Sequence, residues 1–357
     1  MTHKYGQMLT MIAQNRYETL DGLRGVAAIG VMFFHLSIIG LPIAYHGYLA
    51  VDFFFMLSGF VMSHAYETKL SSVRFSTFLT LRLIRIFPLS VFGLLLGSLY
   101  FLLRNVSQNS SAYSYGDILL GTGFNIFLLP KPWMTPAPTD TIFPSNTPLL
   151  SLSLEMLINF VWALYFFRAR STTLMSIIVV SGSAFVYFTI NHHTADIGAT
   201  WPTYLGGLSR AVFGFFAGSM IWRSRVQPDK PSLYAVLPFL VLVGIIFAPD
   251  LGPFFDVVVV VTVFPAIIFI ASCTGHRSKI GAFNFLGNIS FPLYVVHVPL
   301  LMFSAGLTKF FDFSEHINIV SMVTVLTCIL SSVFLDKYYD RKMRRVLTRK
   351  VFEEGHA

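Results

Sequence analysis

An all-α polytopic membrane protein of about ten transmembrane helices, with both termini cytoplasmic, is the fold class that three observations predict. The 357-residue chain is 55% hydrophobic and only 12% charged, about half the charge of a soluble domain, and its mean hydropathy is +0.68. Apolar runs recur that are long enough to cross a hydrocarbon core of about 30 Å, which takes about 20 residues of helix. Lys and Arg fall on alternate loops, as the positive-inside rule requires. These features exclude a soluble cytosolic enzyme, and 37 Phe with 15 Tyr exclude a disordered chain.

Taken in order, the expected spans are residues 25–42, 48–65, 86–103, 149–167, 172–190, 205–222, 232–248, 255–272, 285–304 and 317–335. Residues 1–24 carry Lys4, Arg16, Glu18, Asp21 and Arg24 without the small-residue cleavage site of a signal peptide, so a retained cytoplasmic segment is expected. On the same side fall Lys69, Arg74, Arg82 and Arg85, then Arg168 and Arg170, Arg223, Arg225 and Lys230, Arg277 and Lys279, and the terminal run from Lys337 to Lys350. Arg104, Lys131 and Lys309 fall on the other side, and Arg210 lies inside a span. Residues 118–129 are apolar but too short to cross, and counting them as a span would put Arg168 and Arg170 outside. Segment 117–148 is therefore expected to be re-entrant or on the outer face, with a Pro-rich outer loop at 130–148. The basic tail, 336–357, reads as a cytoplasmic anchor near anionic lipid, and no motif supports a nucleic-acid partner. The chain is thus a single membrane domain, 25–335 forming its bundle. Cys273 and Cys328 lack the spacing of a disulfide framework or a zinc site. No metal and no tightly bound cofactor is expected.

Ionisable side chains inside a bilayer cost several kcal/mol and mark functional sites by default. His35, Asp52, Glu155, Arg210 and His297 all fall in the outer third of their spans. Arg24 and His35, eleven residues apart, project from nearly the same helix face about 16 Å apart along the axis. A ligand held by its negative charge at Arg24 would present its far end to His35. Arg82 and Arg85, at i and i+3, suit phosphate contacts at the same boundary. Other readings of these residues are positive-inside anchors for the arginines, histidines hydrogen-bonded within a bundle, and a structural ion pair of Arg210 with Asp52 or with Glu155.

Leu20-Asp21-Gly22-Leu23-Arg24-Gly25, His35, and Gly47-Tyr48-Leu49-Ala50-Val51-Asp52-Phe53-Phe54-Phe55-Met56-Leu57-Ser58-Gly59 open a set of five blocks. The others are Arg82-Leu83-Ile84-Arg85-Ile86-Phe87-Pro88, Ser151-Leu152-Ser153-Leu154-Glu155, and the run from Leu286 through Ser290 and Tyr294 to His297. In this order they resemble the acyltransferase-3 family of membrane acyltransferases over nearly the whole chain. The resemblance implies transfer of an acyl group, commonly acetyl, from cytoplasmic acyl-CoA to a hydroxyl of an extracytoplasmic or lipid-linked glycan. It also implies a multi-pass protein of the bacterial inner membrane, here in a stand-alone form without a fused esterase-like domain. Arg24 and His35 match the family's arginine and essential histidine, and Arg82 and Arg85 its paired arginines. Ala50 stands where Gly is usual, and Leu150 where Trp generally precedes Ser-Leu-Ser.

For such a reaction a base must take the proton of a neutral hydroxyl, and His35 is the candidate. Asp52 or Glu155 would orient it, with Asp52 favoured on the adjoining span. Arg210, Tyr294, His297 and Ser290 are candidates for transition-state or structural support. On this reading the CoA phosphates bind at Arg24, Arg82 and Arg85, and no P-loop is present. A small secondary metabolite such as a macrolide is an alternative acceptor. A proton-coupled transporter is the rival class, against which stands the lack of an inverted repeat, and a structural assembly protein is a third, for which His35 would be dispensable.

Overall fold

In a bilayer the backbone has no water to bond, so each apolar run must satisfy its own amides as a helix. The computed structural model describes residues 17–67, 75–107, 114–132, 140–225, 236–273 and 281–353. Lys4, Arg16, Lys69, Arg74, Lys230, Arg277, Lys279 and residues 133–139 of the Pro-rich loop lie outside the described residues. The described chain is helical, with one isolated bridge between Thr141 and Thr200. The helices are α1 (Glu18–Phe34), α2 (Ala50–Tyr66), α3 (Phe75–Ser107), α4 (Tyr115–Asn125), α5 (Leu149–Val161), α6 (Ser171–His192) and α7 (Tyr204–Ser224). They continue with α8 (Val236–Ile246), α9 (Gly252–Val258), α10 (Phe264–Ser272), α11 (Gly281–Phe310), α12 (Ile317–Leu335) and α13 (Arg341–Glu353). A π-turn, Val259–Val263, joins α9 to α10, and another, Asp336–Asp340, joins α12 to α13. Among the described residues nine helices are long and apolar enough to cross a membrane, and the shorter apolar α8 takes the seventh place. The chain is therefore a multi-pass integral membrane protein.

Two helix starts differ most from the sequence expectation. α1 begins at Glu18 and α3 at Phe75, against 25 and 86, so Arg24, Arg82 and Arg85 lie within helices and not ahead of them. Gly25 follows Arg24 directly and Pro88 lies three residues beyond Arg85, yet the helical backbone continues through both, so each helix extends past its apolar run. The loop expected at 130–148 is also not all surface. Residues 142–146 are buried, and Asn146 Nδ2 donates to the Val295 carbonyl at 2.8 Å. Pro299, four residues on in α11, has no amide to give that carbonyl, so the side chain of a dipping loop supplies the missing donor. α4 is eleven residues, about 16 Å, half the hydrocarbon thickness, and Ser98 of α3 is hydrogen-bonded to its Thr122.

Two helix pairs form the centre. α1 and α11 run parallel, since Arg24 reaches Gly287 and Ser290 while His35 reaches His297. α2 and α7 run parallel too, since Asp52 meets Arg210 and Ser63 meets Ser219. In α2 and α7, a Cβ at Gly59 would collide with the Phe215 carbonyl and one at Gly218 with that of Met56. Small residues thus let the two backbones touch, which replaces the hydrophobic drive that lipid removes. The contacts define two ends. One carries Tyr17, stacked edge-on to His64, the Glu67–Arg223 ion pair, and Arg344 over the Phe291 ring. The other carries His46 with Asp256, and Trp201 bonded to the Lys131 carbonyl.

Candidate active site

At the end of α1 the helix tightens into a 3-10 turn, His35–Ile39, and this leaves the Val31 carbonyl with a lone pair to spare. His35 Nδ1 lies 2.9 Å from that oxygen and 3.2 Å from His297 Nε2. His297 Nδ1 lies 2.9 Å from the Leu293 carbonyl. A carbonyl only accepts, so His297 carries its proton on Nδ1 and offers a lone pair from Nε2. His35 then carries its proton on Nδ1, shared between Val31 and His297. Its Nε2 is left as an unprotonated base.

His35 lines a cavity of about 150 Å³ together with Tyr48, Leu150, Ser151, Asp196, Arg210 and Tyr294. Thr147 and Pro148, at the end of the dipping loop, complete one wall. Arg210 and Asp52 are buried, and Arg210 Nε and Nη2 fork onto the two carboxylate oxygens at 2.9 and 2.5 Å. Arg210 Nη1 also donates to the Ile197 carbonyl at 3.1 Å. The Ser151 hydroxyl donates to the Pro148 carbonyl at 2.9 Å and so accepts from Tyr294 Oη at 2.6 Å.

These placements correct three expectations. Asp52 was expected to orient His35, but Arg210 takes both its oxygens, and a backbone carbonyl and His297 do the orienting instead. A buried guanidinium needs an opposite charge more than a neutral imidazole does. Glu155, the other expected carboxylate, accepts from Arg82 Nη2 at 2.9 Å and from Ser58 Oγ at 2.7 Å. Arg82 is accordingly buried and held by a carboxylate, not free to meet a phosphate. Arg85, one turn on, is exposed and makes no hydrogen bond or ion pair among the described residues. Arg24 is held by Asp21 at 2.9 Å, by Ser290 Oγ at 3.0 Å and by the Gly287 carbonyl at 3.0 Å. Ser290 therefore supports Arg24, far from the His35 cavity.

Sequence reasoning missed a buried polar cluster behind Tyr48, one of the residues that line the cavity. His46 and Asp256, both buried, are 3.1 Å apart. Asp256 also accepts from Tyr48 Oη at 2.8 Å and from the Ala195 amide at 2.9 Å, so one carboxylate ties three connections together beside the cavity-lining Tyr48. No local signal marks this pair, because its members are 210 residues apart. Asp196 was missed for the same reason.

The cavity thus sets an imidazole with an open Nε2 beside a buried guanidinium, at one end of a helix that carries an arginine towards its other end. The chain belongs to the acyltransferase-3 family, whose model, described as an acyltransferase domain, matches residues 17–336; it is a membrane acyltransferase. It is also similar to a curated protein of Rhizobium radiobacter described as "Protein 2 in picA locus", 33% identical over 180 residues that cover 48% of this chain and 92% of that protein. No solved structure gives a significant match.

Proposed function

We propose that this acyltransferase moves an acetyl group from cytoplasmic acetyl-CoA to a hydroxyl of an extracytoplasmic or lipid-linked carbohydrate, with His35 as general base. One observation carries the reading: the hydrogen bonds of His35 leave its Nε2 lone pair on a cavity wall, while Arg24 on the same helix marks the end where a phosphate would anchor. The end with the termini is then cytoplasmic, the membrane is the bacterial inner membrane, and the pantetheine arm spans the roughly 16 Å between the two groups. As the acceptor oxygen bonds to the thioester carbonyl, its proton passes to His35 Nε2. The tetrahedral oxyanion forms beside the Arg210 guanidinium. The carbonyl re-forms, the C–S bond breaks, and the CoA thiolate takes the proton back from His35. Val31 and His297 accept from the imidazolium while it exists.

The test is binding and turnover of radiolabelled acetyl-CoA by detergent-purified wild type and His35→Ala, with calorimetry for affinity. Donor binding by both proteins, and slow hydrolysis or transfer by the wild type alone, is the expected result. Residual wild-type rate in His35→Ala removes the base, and no donor binding by either protein refutes the acyl-CoA reading in favour of a transporter.

A further inference from the structure

Arg82 turns inward to Glu155, so the phosphate site read from sequence loses one of its three arginines. The fold supplies another. α12, the π-turn Asp336–Asp340 and α13 form one continuous helix that packs back on α3 and α11. Tyr339 Oη donates to the Pro88 carbonyl at 3.2 Å, three residues beyond Arg85, and its ring packs 5.6 Å from that of Phe92. Arg344 lies over the Phe291 ring at 5.6 Å, and Phe291 adjoins Ser290, to which Arg24 donates. The π-turn inserts one residue into the helical register, and Asp340 at its end is buried at 3% exposure. Arg344 forks onto Asp340 at 2.8 and 2.5 Å but keeps 31% of its own side chain exposed.

Arg24, Arg85 and Arg344 thus approach from three helices, and the charges of Arg24 and Arg85 both act on Arg344. Two carboxylates oppose them, Asp21 on Arg24 and Asp340 on Arg344, the latter also within the electrostatic influence of Arg85. The neighbouring Asp336 is matched by Arg341. Converging like charges are costly without an anion between them, and a guanidinium fork fits phosphate oxygens in pairs.

We propose that Arg344 is the third arm of a phosphate-binding site with Arg24 and Arg85, that this site takes the nucleotide phosphates of the acyl donor, and that Asp340 holds Arg344 until the donor arrives. The assignment rests on the acyl-CoA reading above. It makes the helix after the last span part of the donor site and not only a lipid anchor.

The experiment measures affinity for acetyl-CoA and for adenosine 3′,5′-bisphosphate, with the full chain in phosphatidylcholine nanodiscs and again with phosphatidylglycerol added. Arg344→Gln is expected to weaken both ligands by about 10-fold to 100-fold in both lipids, and Arg344→Lys to recover part of that loss. Asp340→Asn is nearly isosteric and releases a guanidinium that water already reaches, so it should tighten both ligands several-fold. Unchanged affinity in Arg344→Gln, with the wild type binding normally, overturns the role of Arg344 alone. So does unchanged or weaker binding in Asp340→Asn, which a merely structural pair predicts. A defect confined to phosphatidylglycerol nanodiscs assigns the arginines to lipid phosphates and overturns the donor assignment. A wild type that binds neither ligand removes the acyl-CoA reading itself.

Discussion

Replacing His297 with Phe separates the partner of the base from the base. His297 is fully buried, and its Nε2 is one of two acceptors for His35 Nδ1, the other being the Val31 carbonyl. The substitution keeps a flat ring at the cost of one extra ring atom in a buried position, and the Leu293 carbonyl keeps the amide of residue 297 within α11, so the fold should survive. During proton transfer His35 is an imidazolium, and a hydrogen bond to a charged group contributes about 1.5–3 kcal/mol. At about 1.36 kcal/mol per factor of ten, kcat should fall by roughly 10-fold to 150-fold. The tautomer is kept by Val31, so the loss should be partial, whereas His35→Ala removes the base and abolishes transfer. Donor KM should not move, because His297 touches the base and not the arginines. Single-turnover transfer of labelled acetyl, with thermal melting of the purified variant as a control for folding, reads all three. A loss as complete as that of His35→Ala would make His297 the reacting base, and a loss below about threefold would leave it no part in holding His35.

Asp52→Ala should destabilise the protein by about 3–5 kcal/mol, because it strands the buried Arg210 charge, and Asp52→Leu combined with Arg210→Met should recover most of that; melting curves in detergent decide it, and a stable but inactive Asp52→Ala would return Asp52 to the chemistry. Arg82→Ala should act mainly on stability, since it strands Glu155 inside the bundle, while Arg85→Ala should raise the apparent KM for acyl-CoA about tenfold with an unchanged melting temperature. Equal KM effects from the two would mean that Arg82 also meets the donor.

Much of the fold was legible because a bilayer imposes one rule everywhere: a spanning segment must be apolar, helical and about 20 residues long. Helix order followed from that rule without any knowledge of packing. The ends did not, as Arg24, Arg82 and Arg85 show, because hydropathy falls at a charged residue while the hydrogen-bonded backbone continues through it. The buried loop carrying Asn146 was illegible for a related reason. Its proline-rich composition reads as surface, whereas Ile142 and Phe143 join the hydrophobic core and Asn146 meets the carbonyl freed by Pro299.

The candidate site divides in the same way. Residue type and 1.5 Å of rise per residue suffice to mark His35, Asp52, Glu155, Arg210 and His297 as anomalous in a membrane and to put Arg24 and His35 on one face of one helix. The partners come from the packing of the helices: His297 on His35, Arg210 on Asp52, Arg82 on Glu155, and Arg344 near Arg24 and Arg85. Partner choice in a low-dielectric interior depends on a few ångströms of separation between helices distant in sequence, and no local pattern carries that distance.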